Sequence, residues 1–209
     1  MGKNPEIFEE GRKLPVVEEF YSIQGEGFHT GKPAYFLRIG GCDVGCSWCD
    51  TKFSWDPSLH PVVSVDEIAE RIFDCPAQAL VVTGGEPLLF NLQYLCLVMK
   101  EKKIKLFLET SGSHKLSGTW DWICLSPKKQ MPPLERIYPL ANELKVIIEN
   151  SRDFEWAEWN KTKVRKNCEL FLQPEWSVYN RIIKPLTQYV KSNPDWKISL
   201  QAHKFMRIP

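Results

Sequence analysis

The chain has 209 residues, 43% hydrophobic and 25% charged, the proportions of an ordinary globular protein with enough chain to build a hydrophobic core. A formal net charge of +1 argues against a nucleic-acid-binding or membrane-surface protein. The N-terminal stretch MGKNPEIFEEGRKLP is polar and of mixed charge, and no segment approaches the roughly 18 apolar residues of a membrane helix, so a cytoplasmic location is expected.

Taken in chain order, Gln24-Gly-Glu-Gly27 reads as a hairpin turn with Gly25 and Gly27 at positive φ. A strand is predicted over 33–39, apolar except for Arg38 near its end. From Gly40 the chain reads GGCDVGCSWCDT, which places Cys42, Cys46 and Cys49 in a C-x3-C-x2-C array. Ser64-Val-Asp-Glu67 is a capping box opening a helix over 65–73. A strand over 80–83 ends on Gly84-Gly-Glu-Pro87, and a helix is predicted over 88–102. Strands over 104–109 and 120–125 end on Glu109-Thr-Ser-Gly112 and Ser126-Pro-Lys128. A strand over 143–148 is followed by a helix over 152–163. After a strand over 169–173, a helix lies within 177–192 and is expected to start near Pro185, because proline suits a first turn. The last strand spans 196–201. The strand segments are near-continuous in apolar residues, as buried parallel strands are. Their alternation with helices implies right-handed crossovers. About six such units are too few for a closed eight-stranded barrel. The expected fold is α/β, an open partial (β/α)6-like barrel with a parallel sheet, whose site lies at the C-terminal strand ends. One domain is expected over 1–209.

The chemistry resides in the cysteines. Cys75, Cys96, Cys124 and Cys168 sit in apolar settings and read as small buried hydrophobes. The clustered three can be weighed against known thiol sites. A structural zinc site needs four ligands, and no second paired set exists here. Cys46 and Cys49 have the spacing of a dithiol pair, but such a pair has no use for Cys42. A [4Fe–4S] cluster normally takes four thiolates. Three leave one iron free, which the amino and carboxylate groups of a methionine moiety can chelate.

C-x3-C-x-aromatic-C after a strand and a glycine turn resembles the signature of the radical S-adenosylmethionine (SAM) superfamily. In that superfamily the cluster reductively cleaves SAM to a 5′-deoxyadenosyl radical. The GGEP segment and the polar ends of the next two strands follow in the superfamily's order. More narrowly, Phe20-Tyr-Ser-Ile-Gln-Gly-Glu-Gly27, Pro33-Ala-Tyr-Phe-Leu-Arg38, the cysteine array and Asp50-Thr51 resemble the 7-carboxy-7-deazaguanine synthase family of queuosine biosynthesis. This likeness continues through the end of the chain. It implies Mg²⁺-dependent ring contraction of 6-carboxy-5,6,7,8-tetrahydropterin to 7-carboxy-7-deazaguanine, with release of ammonia. The cofactors implied are a [4Fe–4S] cluster on Cys42, Cys46 and Cys49, SAM, and Mg²⁺ held by Thr51. The substrate residues implied are Ile23, Gln24, Gly25, Glu26, Arg38, Thr83, His203 and Pro209. For SAM they are Ser47, Trp48, Cys49, Gly85, Glu86, Ser126, Pro127, Lys128, Gln173, Pro174, Glu175 and Trp176. No side chain is expected to act as catalyst, since the SAM radical carries the chemistry. A flavodoxin- or ferredoxin-type electron donor and a homodimer come with the family. Arg38, Thr51 and Glu26 also admit plainer readings, as a surface salt bridge, a helix cap and part of a turn. The tail over 202–209 is expected to close the site, Phe205, Met206 and Ile208 being too apolar for a solvated end. Two other activities are weighed, an activase of a glycyl-radical enzyme and a zinc-stabilised binding module. Neither gives Arg38, Thr51 and the QGEG segment a common purpose.

Overall fold

The computed structural model describes residues 10–209, so most of the polar N-terminal stretch lies outside the described residues. One nine-stranded sheet forms the frame. Its strands are β1 (Lys13–Ile23), β2 (Pro33–Ile39), β3 (Val62–Ser64), β4 (Ala79–Gly84), β5 (Lys105–Thr110), β6 (Trp122–Leu125), β7 (Glu143–Ile148), β8 (Glu169–Pro174) and β9 (Lys197–Ile198). The spatial order is β3-β1-β2-β4-β5-β6-β7-β8-β9. From β2 to β9 every neighbouring pair is parallel, while β1 runs antiparallel to both β2 and β3. The outer strands β3 and β9 do not pair with each other, so the barrel is open as expected.

Four helices serve the crossovers: α1 (Val65–Phe73), α2 (Gln93–Glu101), α3 (Arg152–Lys161) and α4 (Tyr179–Ser192). The Ser64 hydroxyl accepts from the Glu67 amide at 3.2 Å, as the capping box requires. Helix α2 starts five residues later than expected, because the Pro87–Leu89 segment folds as a separate 3-10 turn. Helix α4 begins at Tyr179, so Pro185 is interior and not an N-terminal residue. It is tolerated because it faces solvent while Ile182 and Leu186, one turn apart, stay buried. The hydrogen bond it deletes is therefore on the wet side. The last strand is cut to two residues, and after a final bond from the Ser199 amide to the Leu172 carbonyl at 2.9 Å the chain leaves the ladder toward a short helix, α5 (Ala202–Met206). The antiparallel pair β1 and β3 was not foreseen. Pro15 and the acidic Glu18-Glu19 interrupt β1's apolar pattern, and a register shift between Val16 and Glu18 breaks its alternation.

The period-2 rule separates the two faces of the sheet. Leu37, Leu80, Val82, Leu106, Leu108, Leu144, Val146 and Leu172 face outward into the main core, against Ile68, Leu95, Ala157 and Leu186 of the helices. The alternate residues face the concave side. Phe36, Val81 and Phe107, with Phe20, form a small apolar base there. The next concave position toward each C-terminal strand end is polar: Arg38, Thr83, Glu109 and Gln173. Among the described residues no helix is long and apolar enough to cross a membrane.

Candidate active site

The C-terminal strand ends surround a cavity of about 270 Å³. At one wall the cysteine loop is held in place by its return segment. Gly41 donates to the Ser54 carbonyl at 2.7 Å and Cys42 to that of Trp55 at 3.1 Å. Gly85 and Glu86 donate to the Ile39 and Gly41 carbonyls at 3.0 and 2.8 Å, joining the GGEP turn to the same loop. A Cβ on Gly85 would meet the Gly41 oxygen at 2.2 Å, so only glycine allows that approach. Cys42, Cys46 and Cys49 all line the cavity and none is in a disulfide. Burial pushes the Cys42 and Cys46 thiols up, with nearby Lys128 opposing the rise at Cys46. Among the described residues no three His, Cys, Asp or Glu side chains are placed to hold one metal ion. Three free thiols lining one cavity, with no fourth ligand beside them among the described residues, suit an iron–sulfur group better than a structural zinc ion, which takes four.

Around this wall lie many of the residues expected to meet SAM. Trp48, Gly85, Glu86, Ser126, Lys128 and Gln173 line the cavity. The Lys128 ammonium donates to the Ser126 carbonyl and hydroxyl at 2.6 and 2.7 Å and sits over the Trp48 ring. Ser47 and Pro127 instead line a smaller adjoining cavity, which Trp48 and Lys128 separate from the first. Pro174, Glu175 and Trp176 line neither. Glu175 turns back to accept from the Ser177 and Val178 amides and caps the 3-10 turn that follows β8. Trp176 packs against Phe205. Glu86 is only 1% exposed, and its carboxylate accepts from the Leu88 amide, the Thr110 hydroxyl and the Ser111 amide and hydroxyl at 2.5–3.0 Å. It ties the end of β4 to the end of β5.

Every residue expected to meet the substrate lines the same cavity: Ile23, Gln24, Gly25, Glu26, Arg38 and Thr83, with His203 and Pro209 from the chain end. Arg38 Nε donates to Glu18 at 2.6 Å, so the salt bridge exists alongside the cavity position. Gly27 has φ +64° but Gly25 is not at positive φ. Its lack of a side chain serves packing instead, since a Cβ there would meet His203 Nδ1 at 2.3 Å. Thr51 precedes a 3-10 turn without its side chain capping it; the hydroxyl lies 3.5 Å from Cys49 Sγ at the cavity edge.

The chain end crosses the cavity mouth. Ala202 donates to the Gly25 carbonyl at 2.9 Å, Lys204 pairs with Asp50 at 2.6 Å, and the Ser22 hydroxyl donates to the Pro209 carbonyl at 3.1 Å. These bonds order the tail. Its apolar side chains are less covered than expected: Phe205 and Met206 are 52% and 49% exposed, although Phe205 packs edge-on against Trp176 and Tyr179 and Ile208 is half-buried. Burial holds His203 below the usual histidine range, and Lys204 adds to the effect while Glu26 opposes it.

Lys145, Glu109 and Gln201 also line the site, and sequence reasoning did not select them as ligands. Lys145 is 3% exposed and pairs with Glu26 at 2.5 Å and Glu109 at 3.2 Å. Gln24 donates to Glu109, and Gln201 to Glu26, both at 3.0 Å. Burial alone would raise Glu26, but the Lys145 charge and these hydrogen bonds hold it down at about 2. Lys145 is itself held well above its usual range by the surrounding acids, against the effect of burial. The signal was present in the sequence: a lysine two residues from Glu143, inside the apolar strand ELKVII, is a charge on a buried face.

Comparison with known proteins agrees with this geometry. Residues 37–123 match the radical SAM superfamily. A 7-carboxy-7-deazaguanine synthase from Flavobacterium psychrophilum is 51% identical over 96% of this chain and 95% of its own length. One from Synechocystis sp. is 44% identical over 93% of each chain. The crystal structure of QueE from Escherichia coli superposes with a TM-score of 0.82 at 28% identity, covering 97% of this chain and all of that one.

Proposed function

Since the chain belongs to the 7-carboxy-7-deazaguanine synthase family of radical SAM enzymes, we propose that it contracts 6-carboxy-5,6,7,8-tetrahydropterin to 7-carboxy-7-deazaguanine with release of ammonia, in queuosine biosynthesis. One observation carries the reading: a single cavity is lined by three thiols together with an array of carboxylates, amides and an arginine. Cys42, Cys46 and Cys49 would hold a [4Fe–4S] cluster. Such a cluster, given one electron by an external donor, would supply the reductive cleavage of bound SAM to methionine and a 5′-deoxyadenosyl radical able to abstract hydrogen from the pterin.

The chain's own residues bind and orient. Glu26 and Glu109 accept from the N–H groups of the pyrimidine edge. Arg38, engaged through Nε alone in its pair with Glu18, turns its remaining donors to the substrate carboxylate. Thr51 gives one oxygen to Mg²⁺, a cation that keeps several of its waters and suits a hydroxyl ligand. Gly85, Trp48, Ser126, Lys128 and Gln173 surround SAM; Ser47 and Pro127 support that wall from behind. Residues 202–209 close the cavity over the substrate and exclude water, so that 1–209 works as one domain. An external electron donor of the flavodoxin or ferredoxin type and a homodimeric assembly, both family properties, complete the reading.

Anaerobic reconstitution with iron and sulfide, followed by SAM, reductant, Mg²⁺ and the carboxypterin, tests it. Cluster absorbance, 5′-deoxyadenosine and a deazapurine product are expected. A chain that cleaves SAM but yields no deazapurine refutes the substrate, and one that binds no cluster refutes the reaction class.

A further inference from the structure

The concave face holds one buried cation between two acids that the proposed reaction needs in their ionised form. Glu26 leaves the end of β1, Glu109 ends β5, and Lys145 stands in the middle of β7. Their meeting is a product of barrel curvature. Lys145 reaches both carboxylates at 2.5 and 3.2 Å, and its side chain is 4% exposed against 15% and 24% for the acids. The acids therefore open to the cavity and the lysine lies beneath them. The second oxygen of each acid is held from the side, by Gln201 on Glu26 and Gln24 on Glu109. Gln24 further accepts from the Glu26 amide at 3.1 Å. Each carboxylate oxygen thus has one protein donor and keeps one lone pair for a ligand.

We propose that Lys145 is the positioning residue of the substrate site: it holds Glu26 and Glu109 side by side as a paired acceptor that selects a planar ligand edge carrying adjacent N–H donors. The inference rests on the proposed function and deepens it. Two acids against one lysine leave a surplus negative charge at this end of the cavity. That surplus favours an amidine-like or aminopyrimidinone edge and repels a carboxylate, which fixes which way round an asymmetric substrate lies. Without the lysine the two acids face each other unscreened, and like charges in a poorly solvated site cannot both stay ionised and in place. One takes up a proton or swings away, and a protonated carboxyl presents a donor where an acceptor is needed. Lys145 also sees Glu143, which burial raises and which accepts from the Phe28 amide and the Trp122 ring N–H. The other groups that face it are Cys124, pushed up by burial, and, farther off, Lys128 and His203. None of these reaches Glu26 and Glu109 together, so none substitutes for it.

Steady-state turnover of the carboxytetrahydropterin by the reconstituted full chain tests this, comparing wild type with Lys145→Met. Lys197→Met, which removes an exposed lysine paired with Glu169, controls for loss of one charge. We expect Lys145→Met to raise KM about 30-fold or more, the size of losing charge-assisted hydrogen bonds, while kcat and SAM cleavage stay within about threefold of wild type. A purely structural role would lower both. We also expect kcat/KM of the variant to climb with rising pH, because one of the two unscreened acids must lose a proton before it can accept from the ligand, a dependence that the Lys145-paired acids of the wild type do not show. Should Lys145→Met fail to load iron, Lys145→Met/Glu109→Gln removes one charge of each sign and is expected to fold and keep the raised KM. A KM within about threefold of wild type, in the single variant or in the double, overturns the proposal. Wild-type enzyme that cleaves SAM without consuming the pterin overturns the function and this inference with it. Normal wild-type turnover beside an unaffected Lys145→Met overturns the inference alone.

Discussion

Glu86 offers a sharp test of how the site is built, because its isostere cannot satisfy its partners. The carboxylate is 1% exposed. One oxygen accepts from the Leu88 amide at 3.0 Å and the Thr110 hydroxyl at 2.5 Å. The other accepts from the Ser111 amide at 2.8 Å and its hydroxyl at 2.5 Å. In Glu86→Gln one of those oxygens becomes an NH2 group. The hydroxyl on that side can rotate to accept, but the backbone N–H cannot, and both sides have one. Either amide orientation thus sets an N–H against an N–H in a dry site. Losing a charge-assisted bond costs about 1.5–3 kcal/mol, and a buried donor left unpaired costs about 1–3 kcal/mol. With partial relaxation we expect a net loss of about 2–4 kcal/mol, a drop in Tm of roughly 4–16 °C for a chain this size. Thermal and urea unfolding of the cluster-free protein reads this directly, without activity. Thr110→Val removes the hydroxyl that donates to Glu86 and accepts from the Gly112 amide at 2.9 Å, and should cost about 2–3 kcal/mol. If Glu86→Gln unfolds within about 0.5 kcal/mol of wild type, the four-donor clamp is not what joins β4 to β5.

Cys42→Ala, Cys46→Ala and Cys49→Ala are each expected to abolish iron loading and 5′-deoxyadenosine formation, whereas Cys75→Ala and Cys96→Ala retain both; normal loading of Cys46→Ala refutes the cluster assignment. Thr51→Ala should load iron normally but need more Mg²⁺ for half-maximal turnover, and an unchanged Mg²⁺ titration places the cation elsewhere. Glu26, held at about 2 in the fold against an ordinary value of 4.5, contributes stability that is fully present above pH 4.5 and is lost as pH falls toward 2. The stability gap between wild type and Glu26→Gln should therefore close over that window, and a gap independent of pH contradicts the Lys145 pairing.

Much was written in local pattern. Near-continuous apolar runs set β2, β4, β5, β7 and β8 to within a residue or so of their ends. Backbone pairing needs no information beyond such runs when both faces of a strand are covered. The capping box located the start of α1, since one hydroxyl and one amide three residues on decide it. The cysteine array was legible because all three thiols lie within eight residues of chain. Tertiary structure decided the rest. Whether Pro185 starts or interrupts α4 depends on which side of the helix meets solvent. Gln173 reaches the cavity while Glu175 does not, because Glu175 finds amides of its own to cap. Lys145 acquires a role only when Glu26 and Glu109, 119 and 36 residues away, are brought to it by the curvature of the sheet. A buried charge is tolerable only beside its counter-charges, and which counter-charges those are is a property of strand order, which no local stretch of sequence contains.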